Sequence, residues 1–510
     1  MRPGEWAALA AVLALALGLR LYRIGTESIW YDECITYMGL HFANPMDFFR
    51  NEATHDPSSV PLYYGSAFVW YHLGFTSILS IRMLSVAAGM ALVAGIYFFG
   101  RKLFGHVGGL TAALCVACAK LHVYQSQEIR NYAFTMILAL FAMFALYKAA
   151  VEGKDRWWPV NVAANVLLSY THLLGTILLF AQGVYLLSTR PRKAHHIALW
   201  TAAHAPFLAL IPLWIRLITT ADLSFETSWI PFSYRQKAVH AYFYYFAGSK
   251  MDTADLVHHL PFEMVPVPEI LGSIMLIGGA AFVAYCVRSW WRKCAPFPSF
   301  APASALFVLC WLFVPPATLY IIGKFMHCFL ERYVSYSSLA LYLCIGGAVA
   351  ALPKRTMRYA ALGALALVFA GNAVDMERPF RYDTASAGVI LRDEYGPGEY
   401  VYSHNYNIGL PMQFYGGVPE DMIVGANEFP EIESDPERWK LIVGKVISES
   451  ALGKRSWVYF EHVPGSFEHS VVDELVAQHG DVRASKWHFG GRKSMYLYRI
   501  EPAGPRSGVE

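Results

Sequence analysis

Two adjacent carboxylates, Asp32 and Glu33, follow the first long apolar run of the chain by about ten residues. Neighbouring side chains diverge by about 100° on a helix and about 180° on a strand, so only one of the pair can face a given site. A carboxylate partly withdrawn from water has a raised pKa, which suits it to take the proton of a hydroxyl. Further along stand His55 and Asp56, then Glu128-Ile-Arg130-Asn-Tyr132, then Ser169-Tyr-Thr-His172, then Lys324, His327, Glu331 and Arg332. Glu128 and Arg130 are two apart and diverge on a helix, so they need not pair with each other. A guanidinium is a planar fork of donors that matches a phosphate. Arg130, Arg332 and Lys324 are therefore candidate phosphate holders, although anchoring at lipid headgroups uses the same side chains. His172 can be a base, a ligand or a satisfied core histidine. No His and carboxylate pair has the spacing of a metal-binding helix. A divalent metal remains compatible with ligands converging from separate loops.

These residues are scattered, and what must position them is a set of apolar runs. About 20 residues cross the hydrocarbon of a bilayer as a helix. Windows of that size mark Trp6–Leu21, Met83–Phe104, Val107–Val123, Tyr132–Val151, Trp157–Ser188, Ile197–Leu217, Ile270–Val287, Ala303–Ile322, Tyr333–Leu352 and Ala360–Val374. The stretch 157–188 is too long for one helix and reads as two joined at Ser169–His172, which brings the expectation to about eleven spans. Lys and Arg collect in alternate loops, at 101–102, 148–156, 190–193, 288–293 and 354–358. Basic loops stay cytoplasmic, so the N-terminus is expected inside and the tail extracytoplasmic. The ionisable residues named above then share one outer side. Ionisable groups at membrane depth are a functional hypothesis by default. The loops 22–82 and 218–269 are the long outer ones, rich in aromatic residues that suit a lid, a lipid-gripping loop or a plain interfacial belt.

Charge divides the chain. Residues 1–375 carry 27 basic and 18 acidic side chains, and residues 376–510 carry 14 and 20. The basic surplus belongs to the membrane part, where it sets topology; it is no nucleic-acid footprint. Only 15% of the chain is charged and 55% is hydrophobic, which excludes disorder and an ordinary soluble enzyme. All eight cysteines lie at or before Cys344, so the tail has no disulfide framework, and Cys115 and Cys118 sit in an apolar run that suits small hydrophobes. The tail alternates helical and strand-like stretches. It reads as a soluble α/β domain, with strands at Tyr400–Ser403, Met422–Val424, Trp457–Phe460, Ala484–Phe489 and Ser494–Ile500. No Asn-x-Ser/Thr sequon occurs, which disfavours a glycosylating secretory lumen. The expected architecture is an α-helical multi-pass membrane protein, 1–375, with a C-terminal extracytoplasmic α/β domain, 376–510.

Ser28-Ile-Trp-Tyr-Asp32-Glu33 after a first helix resembles the outer-loop acidic signature of membrane glycosyltransferases with the C-type fold. The pattern is most similar to the dolichyl-phosphate-mannose protein mannosyltransferase and aminoarabinose transferase-like family. Pro61-Leu-Tyr-Tyr64, Arg82-Met-Leu-Ser85, Phe99-Gly-Arg-Lys-Leu-Phe104, Tyr124-Gln-Ser-Gln-Glu128-Ile-Arg130-Asn-Tyr132, Ser169-Tyr-Thr-His172 and Glu331-Arg-Tyr333 follow in that family's order. One departure is that His55 and the Pro61-Leu-Tyr motif are separated by an insertion carrying Asp56. The resemblance implies transfer of a sugar from a polyprenyl-phosphate donor to a lipid, glycan or protein acceptor outside a prokaryotic plasma (inner) membrane, with inversion. It implies Asp32 as the catalytic base, with Glu33 beside it. Arg130, Arg332 and Lys324 would hold the donor phosphate. Glu128, Tyr132, His172, His55 and Asp56 would orient the substrates. The competing reading is a transporter or flippase of lipid-linked substrates. That class places its charges near the bilayer midplane, often in repeated halves, and no internal repeat is visible here.

Overall fold

The computed structural model describes residues 2–55, 60–189, 194–218, 302–323, 325, 328–375, 383–403, 406–424, 436–461, 468–489 and 494–503. The expected span Ile270–Val287, nearly all of the loop 218–269, and Asp56, Lys324 and His327 lie outside the described residues. The helices are α1 (Pro3–Leu21), α2 (Tyr31–Gly39), α3 (Pro45–His55), α4 (Pro61–His72), α5 (Ile78–Cys118), α6 (Lys120–Ser126) and α7 (Tyr132–Leu146). They continue with α8 (Trp158–Ser169), α9 (Ile177–Ser188), α10 (Ala194–Ile218), α11 (Pro302–Ile322), α12 (Ser338–Ala351) and α13 (Arg355–Asp375). The chain divides into two compact units, one of Met1–Ile24 with Gly39–Val374, the other of Gly25–Met38 with Asp375–Glu510.

Among the described residues, six helical segments of the first unit are long and apolar enough to cross a bilayer: Pro3–Leu21, Ile78–Cys118, Tyr132–Val151, Ile197–Arg216, Ser304–Ile322 and Arg332–Ala351. The chain is an integral membrane protein. At 41 residues, α5 is about twice what a bilayer needs. It is broken at Gly105, whose φ of 77° is open to glycine and strained for other residues. The two halves fold back on each other: a Cβ on Gly109 would stand 2.5 Å from the Tyr97 carbonyl oxygen. In a straight helix those positions would be about 18 Å apart. Glycine is also what lets the next helix approach, because a Cβ on Gly346 of α12 would lie 2.3 Å from the Gly108 carbonyl oxygen. Without a hydrophobic drive between helices in lipid, such close backbone contact is the main source of packing energy.

The stretch 157–188 is two helices, α8 and α9, joined by a turn at Tyr170–Thr176. Buried polar side chains tie α8, α9 and α10 together. Asn161 and Asn165 donate to Gln182 Oε1 at 3.1 and 2.9 Å, and Trp200 Nε1 donates to Asn161 Oδ1 at 2.8 Å. His204 Nδ1 donates to the Trp200 carbonyl at 2.7 Å, which leaves Nε2 to accept from Asn165 at 3.1 Å.

The second unit is built on a five-stranded sheet of β1 (Tyr400–Ser403), β2 (Ile423–Val424), β3 (Ser456–Glu461), β4 (Val482–Phe489) and β5 (Met495–Pro502), in the order β2-β1-β3-β5-β4. β1 is parallel to β2 and β3, while β5 is antiparallel to β3 and β4. Its helices are α14 (Thr384–Glu394), α15 (Tyr406–Gly416), α16 (Pro436–Ala451) and α17 (His469–Gln478). Side chains alternate across the sheet. Trp457, Tyr459 and Leu497 pack with Ala387, Leu391 and Met412 on the α14–α15 side. Val458, Phe460 and Tyr498 pack with Trp439, Val443 and Val472 on the α16–α17 side. Burial on both faces explains why β3 is a continuous apolar and aromatic run from Trp457 to Phe460.

Candidate active site

The first unit gathers residues from four separate stretches into one cationic and aromatic cluster. α6 ends at Ser126, and the bend that follows delivers Arg130, Asn131 and Tyr132 to the start of α7. The turn between α8 and α9 delivers His172. A short 3-10 helix, Glu331–Ser337, delivers Arg332 and Tyr333. The His172 ring lies 6.1 Å from the Tyr132 ring and 5.5 Å from the Tyr333 ring, centroid to centroid. Arg332 sits over the same two tyrosines, its Cζ 6.0 Å from Tyr132 and 5.7 Å from Tyr333. Arg130 rests over Tyr64 of α4, 5.9 Å from the ring centre, and is 7% exposed. An arginine over a tyrosine face gains from the ring quadrupole.

Main-chain bonds fix this arrangement. Asn131 Nδ2 donates to the Thr171 carbonyl at 2.9 Å, joining the Arg130 bend to the His172 turn. The Leu62 amide donates to the Tyr170 carbonyl at 2.8 Å, and Tyr336 Oη donates to the Leu174 carbonyl at 3.3 Å. His172 Nδ1 accepts from the Leu174 amide at 3.1 Å, so the neutral ring carries its proton on Nε2. His122 and Gln125 of α6 reach Ser338 Oγ at 3.0 Å and Ser335 Oγ at 3.4 Å, binding α6 to the stretch that bears Arg332.

Behind the bend lies a second buried arginine. Arg20 of α1 is fully buried and donates to Ser126 Oγ at 3.1 Å and to the carbonyls of Ala117, Val116 and Ala16 at 3.1, 3.2 and 3.2 Å. Two of these are last-turn carbonyls of α5, the negative end of a helix dipole, which satisfies both the helix terminus and the cation. Gln127 completes the join by donating to the Arg20 and Tyr22 carbonyls at 3.0 and 2.8 Å.

Of the residues singled out by sequence, Arg130, Tyr132, His172 and Arg332 come together here. Glu128 is half-buried on the same bend, its carbonyl accepting from Ser85 Oγ at 2.7 Å. His55 is exposed at the end of α3, and its Nδ1 donates to the Asn51 carbonyl of that helix at 3.0 Å. Asp32 and Glu33 occupy the first turn of α2, in the second unit. Glu33 is fully buried and Asp32 half-buried, the divergence that adjacent helical positions require. Lys324 and Asp56 lie outside the described residues. Tyr64, Asn131 and Tyr333 are members of the cluster that the sequence left unassigned. Their signal was adjacency, since each sits within a stretch already singled out. Among the described residues no group of three or more His, Cys, Asp or Glu side chains is placed to hold a metal ion.

Residues 64–215 match the family model described as dolichyl-phosphate-mannose-protein mannosyltransferase. No curated protein sequence matches the chain. Among solved structures, the oligosaccharyltransferase of Archaeoglobus fulgidus, in complex with Zn and sulfate, aligns over 89% of this chain and 68% of its own with a TM-score of 0.51 at 11% identity. ArnT from Cupriavidus metallidurans bound to undecaprenyl phosphate aligns over 97% of this chain and 98% of its own, with a TM-score of 0.47 at 13% identity. The chain resembles the membrane glycosyltransferases with the C-type fold.

Proposed function

We propose that the chain is a membrane glycosyltransferase that moves a sugar from a polyprenyl-phosphate donor to a hydroxyl of an extracytoplasmic lipid, glycan or protein, with inversion at the sugar carbon. One observation supports it above the rest: Arg130 and Arg332, about 200 residues apart in sequence, are held on tyrosine rings in the cluster that contains His172. Two rigid guanidiniums suit a phosphate whose charge grows as the sugar departs. Lys324 is assigned to the same group. Tyr132, His172 and Glu128 would orient the sugar, and His55 and Asp56 the acceptor. Asp32 would take the proton of the acceptor hydroxyl as its oxygen attacks the anomeric carbon. Glu33, buried beside it, would keep that turn of α2 in place. The bilayer would accommodate the donor's isoprenoid tail; the basic loops favour a cytoplasmic N-terminus, and the resemblance favours the plasma membrane of a prokaryote.

The test is transfer in reconstituted vesicles from a panel of undecaprenyl-phosphate sugars, comparing the parent with Asp32→Asn and Arg130→Ala. Loss of transfer by about 100-fold or more in both, with both proteins folded, supports the reading. Parental rates in Asp32→Asn would remove Asp32 as the base. Movement of the lipid-linked sugar across the vesicle without any transfer would replace the enzyme with a flippase.

A further inference from the structure

The segment that carries Asp32 and Glu33 is, by sequence, a loop between membrane helices. By packing it is part of the unit formed with residues 375–510. Three contacts hold it there. The Ile29 amide donates to Tyr415 Oη at 2.8 Å. Ser28 Oγ accepts from the Ala385 amide at 3.1 Å, a first-turn N–H of α14 that has no partner within its own helix. The Tyr37 ring meets Phe414 edge to face at 5.7 Å. Two bonds lie just before α2 and one ring contact lies near its end, so the acidic first turn at 32–33 is gripped on both sides.

The grip itself is rigid. Tyr415 and Phe414 end α15, which crosses α14 at a glycine. A Cβ on Gly388 would stand 2.2 Å from Tyr415 Cβ and 2.9 Å from its carbonyl carbon. The backbone of Tyr415 is thus set by contact with α14, and Gly416 extends the crossing, where an added Cβ would meet Leu391 Cβ at 3.0 Å. α15 in turn follows β1 and leads to β2 of the sheet. A chain of fixed elements therefore runs from the sheet through α15 to the turn that bears the candidate base.

We propose that the C-terminal domain positions the candidate base, with Tyr415 the positioning residue that sets Asp32 through the Ile29 amide and with Ser28 and Phe414 completing the grip. This rests on the reading of Asp32 as base. A base must stand within hydrogen-bond reach of the proton it takes, and a displacement of about 1 Å can cost about 100-fold. A domain without cofactor motifs or metal-ligand spacing of its own then contributes to turnover by geometry alone.

The experiment uses the full-length chain in vesicles with an undecaprenyl-phosphate sugar that the parent accepts. Tyr415→Phe removes the bond to Ile29 and keeps the ring, and Ser28→Ala provides a second break with little change in shape. The expected result for each is amide exchange in the 25–38 peptide about tenfold faster, kcat lower by about tenfold or more, and donor KM within about twofold of the parent. Lys486→Ala, on β4 at an exposed ion pair with Asp473 of α17, is expected to leave all three unchanged. Unaltered exchange in 25–38 overturns the grip. Faster exchange with parental kcat, or a loss shared equally with donor KM, overturns the positioning role. Parental transfer by Asp32→Asn is a separate outcome that sinks the base itself, while an inactive Asp32→Asn beside a normal Tyr415→Phe sinks only this inference.

Discussion

Three arginines of the helical unit meet two kinds of electron-rich partner. Arg20 uses helix-end carbonyls, while Arg130 and Arg332 lie on tyrosine faces. A lysine at position 130 keeps the charge and loses the fork, so Arg130→Lys is expected to raise donor KM about tenfold, with kcat reduced less than in Arg130→Ala, in initial-rate kinetics. The Arg20 site makes a sharper structural prediction. A Cβ on Gly89 would lie 2.2 Å from Ser126 Oγ and 2.9 Å from Arg20 Nε. Alanine gains about 1 kcal/mol in helix propensity over glycine. Displacing Ser126 and Arg20 forfeits bonds to a buried charge, each worth about 1.5–3 kcal/mol. The clash wins, and Gly89→Ala is expected to lower the thermal midpoint measurably in detergent; an unchanged or higher midpoint would show that Arg20 repacks freely.

At the scale of elements, the loop between α7 and α8 carries a knot of three lysines on one carboxylate. Glu152 takes Lys148 Nζ at 3.2 Å, Lys154 Nζ at 2.8 Å and Lys102 of α5. Burial by itself would raise its pKa, but the hydrogen bonds from Lys102, Lys154 and Lys148 outweigh it and hold the carboxyl at about 2. A folded pKa below the unfolded value contributes stability that is complete above about 4.5 and is lost as pH falls towards 2. Glu152→Gln is therefore expected to lower the thermal midpoint at pH 7 and to converge with the parent between pH 4.5 and 2, followed by light scattering or tryptophan fluorescence. A gap that stays constant over that range would assign the effect to packing. These elements were largely legible in sequence, because long apolar runs and Lys/Arg loops survive any tertiary context. The reversal at Gly105 was legible for the same reason: a 41-residue apolar helix is too long for one crossing. α15 and α16 were not. Tyr406–Gly416 contains Pro411 and three residues that favour turns, and nothing local marks it as a helix until α14 packs on it.

On the whole-molecule scale one grouping of segments left no mark in the sequence. A cut near residue 375 follows hydropathy, and hydropathy assigns 25–38 to the loop between membrane helices. The compact unit around the C-terminal sheet instead includes that segment, through Ser28, Ile29 and Tyr37, whose partners are over 350 residues away. Pairings at such separation leave no local pattern, so the site residues were readable one by one and their support was not. Two units with separate cores are expected to lose their folds in separate steps, since cooperativity follows shared packing. The two glycine crossings allow each step to be addressed singly. Gly346→Ala drives a Cβ to 2.3 Å from the Gly108 carbonyl, within the helical unit, whereas Gly388→Ala drives one onto Tyr415 in the sheet unit. Both neighbours are backbone-fixed, so each substitution is expected to cost about 1–3 kcal/mol. Scanning calorimetry in detergent should then show two transitions, with Gly388→Ala lowering only the one whose progress exposes amides of 25–38 and 383–503 to exchange, and Gly346→Ala lowering only the other. If either substitution shifted both transitions together, the chain would be one cooperative body, and the segment bearing Asp32 would owe its place to the membrane helices as much as to the sheet.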